Sequence, residues 1–591
     1  MRRAVVAAWL LALAAGVTLR LWHLPAQVFA EDELHSVRAA LAHPISRILV
    51  TYQRLDNTIP LTAAFRFLLD RGIKLTEMMV RAPAVLSGLA LLLLLPWWVA
   101  RRLGWGTAAV FTGLLAISPG LVFYSRIARS YAPIVLFGCG ALVAFEAWWR
   151  QPQKWRWGAA YVLLAALAAW FHLAAAPFVV SPFLFAAVDL LVRRDLRRLK
   201  AVVPLGLATV AAFLAFLLPA RETLVTLVKE KHGELKLAKR LGLGVLELHS
   251  GSGREWLAAL FCLVAVVGLV RLFRLDGRLA ALSATAVLVE LAALLYLAPA
   301  GYVHPEVSFR YLLIGLPWVL LWVATAVGPH MPAPSRSSLP AVGQPISSRE
   351  GKKARQFFIL FARLTGGDER GAGGVWLAAC TSVLFLGVLA LTGPFVDRRP
   401  WRSPFGHFYD FLIIGSPQPK LLPELVPNFY SELANSEDPG VVLEYPWVSA
   451  GRMNRALYLY QQIHGRDVVV APIRGPLADS RLAFRNMVPG TPEGFLASRA
   501  RWLVVHRNLV LEETNILPPM RARKRLRDLL SSAARRTIAH LRRDWGAPDK
   551  SDRWMAVWDL ERVRRGRNVK ASGFSLRPSA NVWDKTAGEG S

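Results

Sequence analysis

Three consecutive carboxylates lie directly after the first long apolar run of the chain. Residues 30–35 read AEDELH, which places Glu31, Asp32 and Glu33 beside the end of that run. If the run crosses a membrane, carboxylates at its end are costly unless they are solvated, paired or used in chemistry. One of them could take a proton from a hydroxyl group that acts as a nucleophile. The alternative is a helix N-terminus, where acidic side chains interact favourably with the helix dipole, and the residue types leave both interpretations open.

A pair of arginines occupies a short segment between two other apolar runs. Residues 123–133 read FYSRIARSYAP and contain Arg126 and Arg129. The planar guanidinium group matches the oxygen atoms of a phosphate, so the phosphate of a lipid is a suitable partner for these side chains. The alternative is a structural ion pair with the acidic stretch at residues 31–33.

A third polar segment, residues 304–311 (HPEVSFRY), lies just before another apolar run. Its Arg310 could add a phosphate contact, although helix capping or anchoring at the lipid headgroups fits the residue types equally well. His172 also lies at the end of an apolar run. A lone histidine in such a place is more often a structural group than a catalyst.

These segments are separated by apolar runs that are long enough to be membrane helices. Hydrophobic residues make up 54% of the chain and charged residues 19%, a composition typical of membrane proteins. A helix that crosses the hydrocarbon core needs roughly 20 apolar residues. That length predicts about 11 spans, near residues 4–22, 80–100, 105–123, 130–149, 157–173, 174–192, 201–219, 256–273, 279–299, 309–328 and 375–394.

The distribution of basic residues predicts how these spans are oriented. Arginine and lysine cluster in short loops that would all lie on one side of the membrane, at residues 2–3, 101–102, 150–156, 193–200 and 271–278. Since basic loops favour the cytoplasm, the N-terminus is predicted to be cytoplasmic and the C-terminal segment extracytoplasmic. Arg126 and Arg129 then lie on the outer side, against this trend, so we expect them to have a partner.

The net charge of +31 indicates membrane lipids as a partner. In a soluble chain such a charge would indicate nucleic acid, but here many basic residues lie at the ends of apolar runs, where anionic headgroups are found. No nucleic-acid partner is therefore expected. The three cysteines lie inside apolar runs and lack the spacing of a zinc site or a disulfide framework; they are Cys139, Cys262 and Cys380.

The composition changes toward the C-terminus. Residues 1–394 are predicted to form a transmembrane domain, with a cytoplasmic linker at 329–374 that contains a helix on the membrane surface at 354–363. From residue 395 to 591 the apolar runs shorten to strand length, which predicts an extracytoplasmic α/β domain. The predicted fold class is a membrane all-α multi-span bundle with a C-terminal soluble α/β domain. The basic stretch at 521–543 predicts a solvated or membrane-facing surface, with a site for an anionic substrate as the alternative.

Several segments, taken in order along the chain, resemble motifs of one enzyme superfamily. The acidic residues after the first span are followed by residues 56–61 (DNTIPL), 81–88 (RAPAVLSG), 125–133 (SRIARSYAP) and 310–317 (RYLLIGLP). Their order and spacing over residues 1–330 resemble the protein O-mannosyltransferase and aminoarabinose-transferase superfamily of C-type glycosyltransferases.

The resemblance implies a helix bundle with a cavity open to the periplasm, which a polyprenyl-phosphate-linked sugar enters from the lipid. Asp32 would be the catalytic base, or the carboxylate that orients the acceptor, with Glu33 as its support. Arg126 and Arg129 match the basic loop of the family, which implies donor phosphate binding for one of them, and Arg310 is the third candidate for a phosphate contact. The residues with accessory roles would be Asp56, Tyr131 and His304.

The chain departs from the family pattern at one place. Where relatives often carry Lys or His followed by two prolines, this chain has Thr58, Ile59 and Pro60. The contact that this basic residue makes in relatives is therefore missing or is made by Asp56, and the motifs do not identify the sugar donor. A divalent metal could neutralise the departing phosphate, but no ligand spacing marks a metal site, and no other cofactor is expected. A weaker likeness links residues 444–446 (EYP) and 460–466 (YQQIHGR) to outer domains fused to some membrane glycosyltransferases, which would imply acceptor binding.

The predicted function is the transfer of a sugar from a polyprenyl monophosphate to a protein, lipid or glycan acceptor in the cell envelope. One rival is a transporter or flippase of lipid-linked saccharides, for which inverted repeats and charged residues deep within the spans are typical. Neither feature is evident in the sequence. The other rival is a non-enzymatic envelope assembly protein whose outer domain binds a partner.

Overall fold

The computed structural model describes residues 2–567 with gaps at residues 23, 25–32, 53–57, 74, 232–238, 253, 298–304, 329–371, 393–425, 438–439, 446–459, 462, 467, 469–491, 499 and 508–523. The chain divides into two compact units. The first comprises Met1–Pro25 and Ala39–Ser416, and the second comprises Ala26–Arg38 and Pro417–Ser591. The helix predicted on the membrane surface at residues 354–363, and most of the predicted linker around it, lie outside the described residues.

The described part of the first unit is built from α-helices, and helix α2 begins in the second unit and ends in the first. The helices are α1 (Arg2–Leu21), α2 (Leu34–Ala42), α3 (Ile45–Leu49), α4 (Ile59–Asp70), α5 (Glu77–Leu103), α6 (Trp105–Ile117), α7 (Pro119–Ser125), α8 (Tyr131–Arg150), α9 (Trp155–Phe171), α10 (Ala176–Arg193), α11 (Leu199–Leu217), α12 (Arg221–Lys231), α13 (Lys239–Ser250), α14 (Glu255–Leu275), α15 (Gly277–Leu297), α16 (Pro305–Tyr311), α17 (Leu316–Val327) and α18 (Ala372–Thr392).

Seven helices in the described part of the chain are long and apolar enough to cross a membrane. They are Ala4–Leu21, Met78–Leu103, Tyr131–Arg150, Leu173–Arg193, Leu199–Lys229, Glu255–Leu275 and Gly277–Leu297. The pair α6 and α7 makes an eighth span if the two helices are taken as one. Three predicted spans correspond to α9, α17 and α18, which do not meet the same test of length and hydropathy. The protein is therefore a mostly helical membrane protein with seven or eight candidate spans, and the predicted number of about 11 spans is not confirmed.

Proline interrupts one predicted span. Helices α6 and α7 meet at a bend of 62°, with Ser118 between them and Pro119 at the start of α7. A proline disfavours helical geometry in the residue before it. Ser118 accordingly has an extended backbone, with φ −65° and ψ 112°. The predicted span at residues 105–123 is thus a broken pair of helices.

A second predicted span is wrong as a single helix. The run at residues 309–328 divides into α16 and α17, with residues 312–315 between them. Pro317 lies in the first turn of α17, where its missing N–H costs nothing. Inside a continuous helix its ring would clash with the carbonyl group four residues earlier, so the helix breaks before it.

Ion pairs join one end of the helix bundle. Asp276, which lies between α14 and α15, pairs with two arginines. They are Arg102 at the end of α5 and Arg150 at the end of α8. The distance between the Arg150 guanidinium nitrogen and the Asp276 carboxylate oxygen is 3.0 Å. The same two arginines also pair with Glu146. Three of the basic loops that were predicted to share one side of the membrane therefore meet at one end of the bundle. That this end faces the cytoplasm stays a prediction.

Gly268 permits the close approach of α14 and α17. A Cβ atom at Gly268 would overlap the backbone carbonyl oxygen of Trp322. Since a backbone group cannot rotate away as a side chain can, we expect Gly268→Ala to lower the free energy of unfolding by about 3 kcal/mol. Gly277→Ala, where no described atom lies within 4 Å of the added Cβ, is the matched control. Thermal unfolding of the full chain in lipid nanodiscs would check this, and an equal effect of the two substitutions would contradict it.

The described part of the second unit contains a four-stranded sheet in the order β1-β2-β4-β3. Strand β1 (Val442–Tyr445) is parallel to β2 (Trp502–His506), whereas β4 (Met555–Asp559) runs antiparallel to both β2 and β3 (Lys550–Ser551). The helices of this unit are α19 (Asn428–Asn435), α20 (Pro492–Ala497), α21 (Lys524–Trp545) and α22 (Leu560–Gly566). Because β1 and β2 are parallel, their last residues lie at the same edge of the sheet.

Helix α21 packs on this sheet through one apolar face. Ala534, Ile538 and Leu541 recur at the spacing of an amphipathic helix and are buried in the same core as Leu503 and Trp558. The packing explains why a helix that is otherwise strongly basic is ordered on the sheet. The location of this unit outside the membrane stays a prediction.

Candidate functional site

Three arginines are buried near the end of the bundle opposite the Asp276 ion pairs. Arg20 lies at the end of α1, Arg81 near the start of α5 and Arg126 directly after α7, and each is at most 2% exposed. Their guanidinium groups donate to backbone carbonyl groups: Arg20 to Gly16 and Leu115 at 2.9 and 3.1 Å, Arg81 to Leu24 at 3.4 Å, and Arg126 to Leu19 at 2.8 Å.

The positive charges of Arg81 and Arg126 act on each other. Burial lowers the pKa of Arg126 to about 10, and the charge of Arg81 contributes to this decrease. Charged groups away from water are stable only when they are paired or well hydrogen-bonded. Since two buried positive charges repel each other, an anion beside Arg81 and Arg126 would stabilise them, whether it is a carboxylate of the chain or the phosphate of a ligand.

A second basic group combines two arginines with three aromatic rings. The ring of His172 lies between Tyr131 and Tyr311, with centroid distances of 5.5 and 5.8 Å. Arg310 lies over the Tyr311 ring at 5.6 Å. Burial and the nearby Tyr131 raise the pKa of Tyr311, whereas Arg310 and Arg129 oppose this increase. We call these five residues, Arg129, Tyr131, His172, Arg310 and Tyr311, the basic–aromatic cluster.

Short elements position the basic–aromatic cluster. Arg129 lies in the turn between α7 and α8, where its N–H donates to the Ile127 carbonyl at 2.8 Å, and Tyr131 is the first residue of α8. Arg310 and Tyr311 end α16, which packs on neighbouring elements through Phe309. The Phe309 ring lies 6.3 Å from Tyr124 and 4.9 Å from His249. These aromatic contacts join α16 to α7 and α13.

His172 has a defined tautomer in this arrangement. Its Nδ1 accepts the backbone N–H of Ala174 at 3.2 Å, so the ring hydrogen of neutral His172 is on Nε2. The residue is 4% exposed and has extended backbone between α9 and the turn before α10. Its Nε2–H is thus a hydrogen-bond donor in the neighbourhood of two tyrosines. In the sequence, a lone His172 at a helix end is expected to be a structural group, and only that position indicates a possible role.

The structure brings four predicted residues into the first unit: Arg126, Arg129, Tyr131 and Arg310. Glu33 is fully buried just before α2 and belongs to the second unit. The resemblance assigns the acidic stretch and the arginines to one reaction and hence to one cavity, and this shared location stays a prediction. Three predicted residues lie outside the described residues, namely Asp32, Asp56 and His304.

No metal site is found in the described part of the chain. Within those ranges there is no group of three or more His, Cys, Asp or Glu side chains that could hold a metal ion. The possible divalent metal beside the acidic stretch stays a prediction.

Helix α15 contains a buried carboxylate that is not among the predicted site residues. Glu290 is 4% exposed inside the candidate span Gly277–Leu297. The statement that no charged residue is evident deep within the spans is therefore wrong. A single carboxylate barely lowers the mean hydropathy of a 21-residue apolar helix, so the span is predicted correctly while the charge is missed.

A buried polar cluster in the second unit joins the two segments near the C-terminus that resemble outer domains. His506 hydrogen-bonds to Glu444 at 2.6 Å, and the Tyr430 hydroxyl donates to the same carboxylate at 3.1 Å. The ring of Tyr430 stacks on the Tyr460 ring with a centroid distance of 4.3 Å and on the His464 ring with a centroid distance of 5.5 Å. Glu444 and His506 lie at the edge of the sheet where the parallel strands β1 and β2 end, so segments distant in sequence meet there.

The histidine His464 is expected to make this unit sensitive to acid. Burial lowers the pKa of His464 to about 4, below its usual value of 6.5. The unfolded chain therefore binds more protons between pH 4 and 6.5, and stability is lost as the pH falls through this window. Two and a half pKa units correspond to about 3 kcal/mol. Hydrogen exchange of the β2 amides in the full chain should show this loss, and His464→Asn should remove it.

The control for this measurement is His540→Gln, because His540 lies on the exposed side of α21 beside Asp544. That substitution should leave the pH dependence of the β2 amides unchanged. Equal pH dependence in wild type and His464→Asn would contradict the assignment.

Neither a protein-family model nor a curated protein matches the chain. Among solved structures, ArnT from Cupriavidus metallidurans in the apo state is 14% identical with a TM-score of 0.45, over 85% of this chain and 92% of that chain. The same protein bound to undecaprenyl phosphate is matched over 86% of this chain and 94% of that chain. The oligosaccharyltransferase from Archaeoglobus fulgidus in complex with Zn and sulfate is 12% identical with a TM-score of 0.40, over 86% of this chain and 70% of that chain.

With TM-scores below 0.5 the likeness is loose, so the function of this chain is inferred from its own residues.

Proposed function

We propose that the protein is a glycosyltransferase that moves a sugar from a polyprenyl-phosphate donor to an acceptor in the cell envelope. The observation that supports this most directly is the basic–aromatic cluster, in which Arg129 and Arg310 surround Tyr311 together with Tyr131 and His172. Guanidinium groups suit the lipid phosphate, and the hydroxyl and imidazole groups add hydrogen-bond donors.

The chemistry requires little beyond positioning and charge stabilisation, because the donor is already activated. The acceptor oxygen attacks the anomeric carbon while the bond from that carbon to the phosphate oxygen breaks. The bonding electron pair stays on the lipid phosphate, and Asp32 takes the proton from the acceptor hydroxyl. Arg129 and Arg310 stabilise the negative charge that develops on the phosphate. Glu33 supports Asp32, and Arg126 adds positive charge from the neighbouring arginine group.

The reaction is proposed to take place on the non-cytoplasmic face of a bacterial inner membrane. The support is the distribution of basic loops, which gather at the end of the bundle opposite the buried arginines. The acceptor is a protein, lipid or glycan of the envelope. The second unit, whose polar cluster includes Glu444 and His464, is proposed to contribute to acceptor binding.

A transporter or flippase of lipid-linked saccharides is the second candidate. The buried Glu290 favours it, since carboxylates within membrane helices often mark substrate or proton pathways. The two candidates differ in bond cleavage, because only a transferase separates the sugar from the lipid phosphate.

The test uses the full chain in lipid nanodiscs with a radiolabelled pool of polyprenyl-phosphate sugars and an envelope extract as acceptor. A transferase releases lipid phosphate and moves the label to the acceptor. Binding of the lipid without any release would contradict the proposal. The same chain in sealed vesicles would then be tested for movement of the lipid-linked sugar across the membrane, as the second candidate requires.

A further inference from the structure

The turn between α16 and α17 is held by a carboxylate from another helix. Glu290 of α15 accepts hydrogen bonds from the backbone N–H groups of Ile314 and Gly315. A Cβ atom at Gly315 would overlap this carboxylate, so the contact requires glycine at that position. Gly315 directly precedes the first residue of α17, and a negative charge there interacts favourably with the positive end of the helix dipole.

Burial of the Glu290 carboxylate in an apolar span costs free energy that an apolar side chain would not cost. Glu290 is 4% exposed in an apolar span, and its Oε1 has no hydrogen-bond partner among the described residues. An apolar side chain of similar volume at such a site is often neutral or stabilising. The hydrogen bonds that the carboxylate accepts from the turn therefore explain the presence of Glu290 better than the packing of α15 does.

Helix α8 holds the same turn from a second side. The Cys139 thiol donates to the Ile314 carbonyl with a sulfur–oxygen distance of 3.9 Å. Ile314 is 1% exposed and packs against Gly138 of α8. The two backbone groups of Ile314 are thus bound by side chains of two different membrane helices.

The position of Arg310 depends on this turn. Helix α16 has seven residues, which is too short for a helix to be stable without tertiary contacts. It is followed at once by the turn that Glu290 holds, and Arg310 and Tyr311 are its last two residues. Only Leu312 and Leu313 separate Tyr311 from the backbone groups that Glu290 binds.

We propose that Glu290 is a positioning residue that fixes Arg310 and Tyr311 in the basic–aromatic cluster and so tunes its affinity for a lipid phosphate. The inference rests on the proposed function, since it takes the cluster to be the donor phosphate site. Glu290 itself touches neither donor nor acceptor. Its effect reaches the phosphate through the Ile314–Gly315 turn.

Three single variants test this in the full chain in nanodiscs, with undecaprenyl phosphate as the probe and native mass spectrometry as the readout. Glu290→Met keeps the volume, removes the acceptor and suits an apolar span, so it should fold and bind the probe about tenfold more weakly. Glu290→Gln keeps an acceptor oxygen and should stay within about threefold of wild type. Leu294→Ala, one helical turn away on the same buried face, is the packing control and should bind like wild type.

A double-mutant cycle separates positioning from a general loss of structure. Arg310→Ala combined with Glu290→Met should bind no more weakly than Arg310→Ala alone, because the residue that Glu290 positions is already gone. Arg126→Ala combined with Glu290→Met should show the product of the two single effects. Wild-type affinity of Glu290→Met, or multiplicative effects in both pairs, would overturn the proposal.

Hydrogen exchange keeps this inference distinct from the proposed function. Glu290→Met should speed the exchange of the amides at residues 312–316, whereas Glu290→Gln should not. If wild type fails to bind undecaprenyl phosphate, the proposed function is wrong. If wild type binds the probe but exchange at residues 312–316 is unchanged in Glu290→Met, the positioning role is wrong and the proposed function stands.

Discussion

Arg129→Ala is expected to reduce the rate of sugar transfer about 100-fold in the full chain. Arg129 is 7% exposed and acts on the Tyr311 ring together with Arg310, so its guanidinium group lies within the basic–aromatic cluster. Loss of one buried charged partner of a phosphate costs about 3 kcal/mol, which corresponds to about two orders of magnitude. The measurement is the initial rate of lipid phosphate release, together with the affinity for undecaprenyl phosphate.

Two further variants show whether the planar guanidinium group or only its positive charge is needed for transfer. Arg129→Lys should recover part of the activity, because lysine keeps the charge but loses the planar geometry. Arg193→Ala, an exposed arginine at the end of α10 that pairs with Asp189 at 2.6 Å, should leave transfer unchanged. Full activity of Arg129→Ala would exclude this residue from the donor site.

Asp32→Asn is expected to lower the transfer rate by about 1000-fold while the affinity for the donor stays near that of wild type. Asparagine has the shape of aspartate but cannot accept the proton of the acceptor hydroxyl, and general base catalysis contributes roughly 100-fold to 10,000-fold. The effect should fall on kcat, since Asp32 is proposed to act on the acceptor and not on the phosphate. Steady-state kinetics with a saturating donor would measure it.

Asp70→Asn is the control for this experiment. Asp70 is a half-exposed carboxylate at the end of α4 that pairs with Arg66, four residues earlier. Its substitution should change neither kcat nor donor affinity. Transfer that persists at the wild-type rate in Asp32→Asn would remove Asp32 from the mechanism, even if Arg129 proved essential.

The sequence is most informative about the fold where the signal is local. A run of apolar residues with basic ends predicts α1, α5 and α8 directly, because length and composition are sufficient to define a membrane helix. The division of residues 309–328 is missed because hydropathy does not register a proline that interrupts an apolar run. The ion pairs of Asp276 are missed for a different reason, since its two partners, Arg102 and Arg150, come from helices that are distant in sequence.

For the candidate site too, the sequence identifies residues with a local signal and misses those whose partners are distant along the chain. Arg126 and Arg129 are found in the sequence because they fall in one short loop that is predicted to lie on the outer side, where their charge is unexpected. His172 and Tyr311 lie 41 and 180 residues beyond Tyr131, and nothing in their local sequence indicates that the three rings meet. Glu290 is missed because its role concerns the backbone of Ile314 and Gly315, and a backbone hydrogen bond leaves no trace in side-chain types.

The two ends of the first unit differ in how their helices are built. At the Asp276 end, continuous helices are joined by charged pairs, whereas Arg126 lies directly after the short helix α7 and Arg310 lies in the short helix α16. A rearrangement that accompanies the entry of a lipid should therefore be a hinge motion confined to the segments near Arg126 and Arg310. The end of the bundle with the Asp276 ion pairs would keep its structure during that motion.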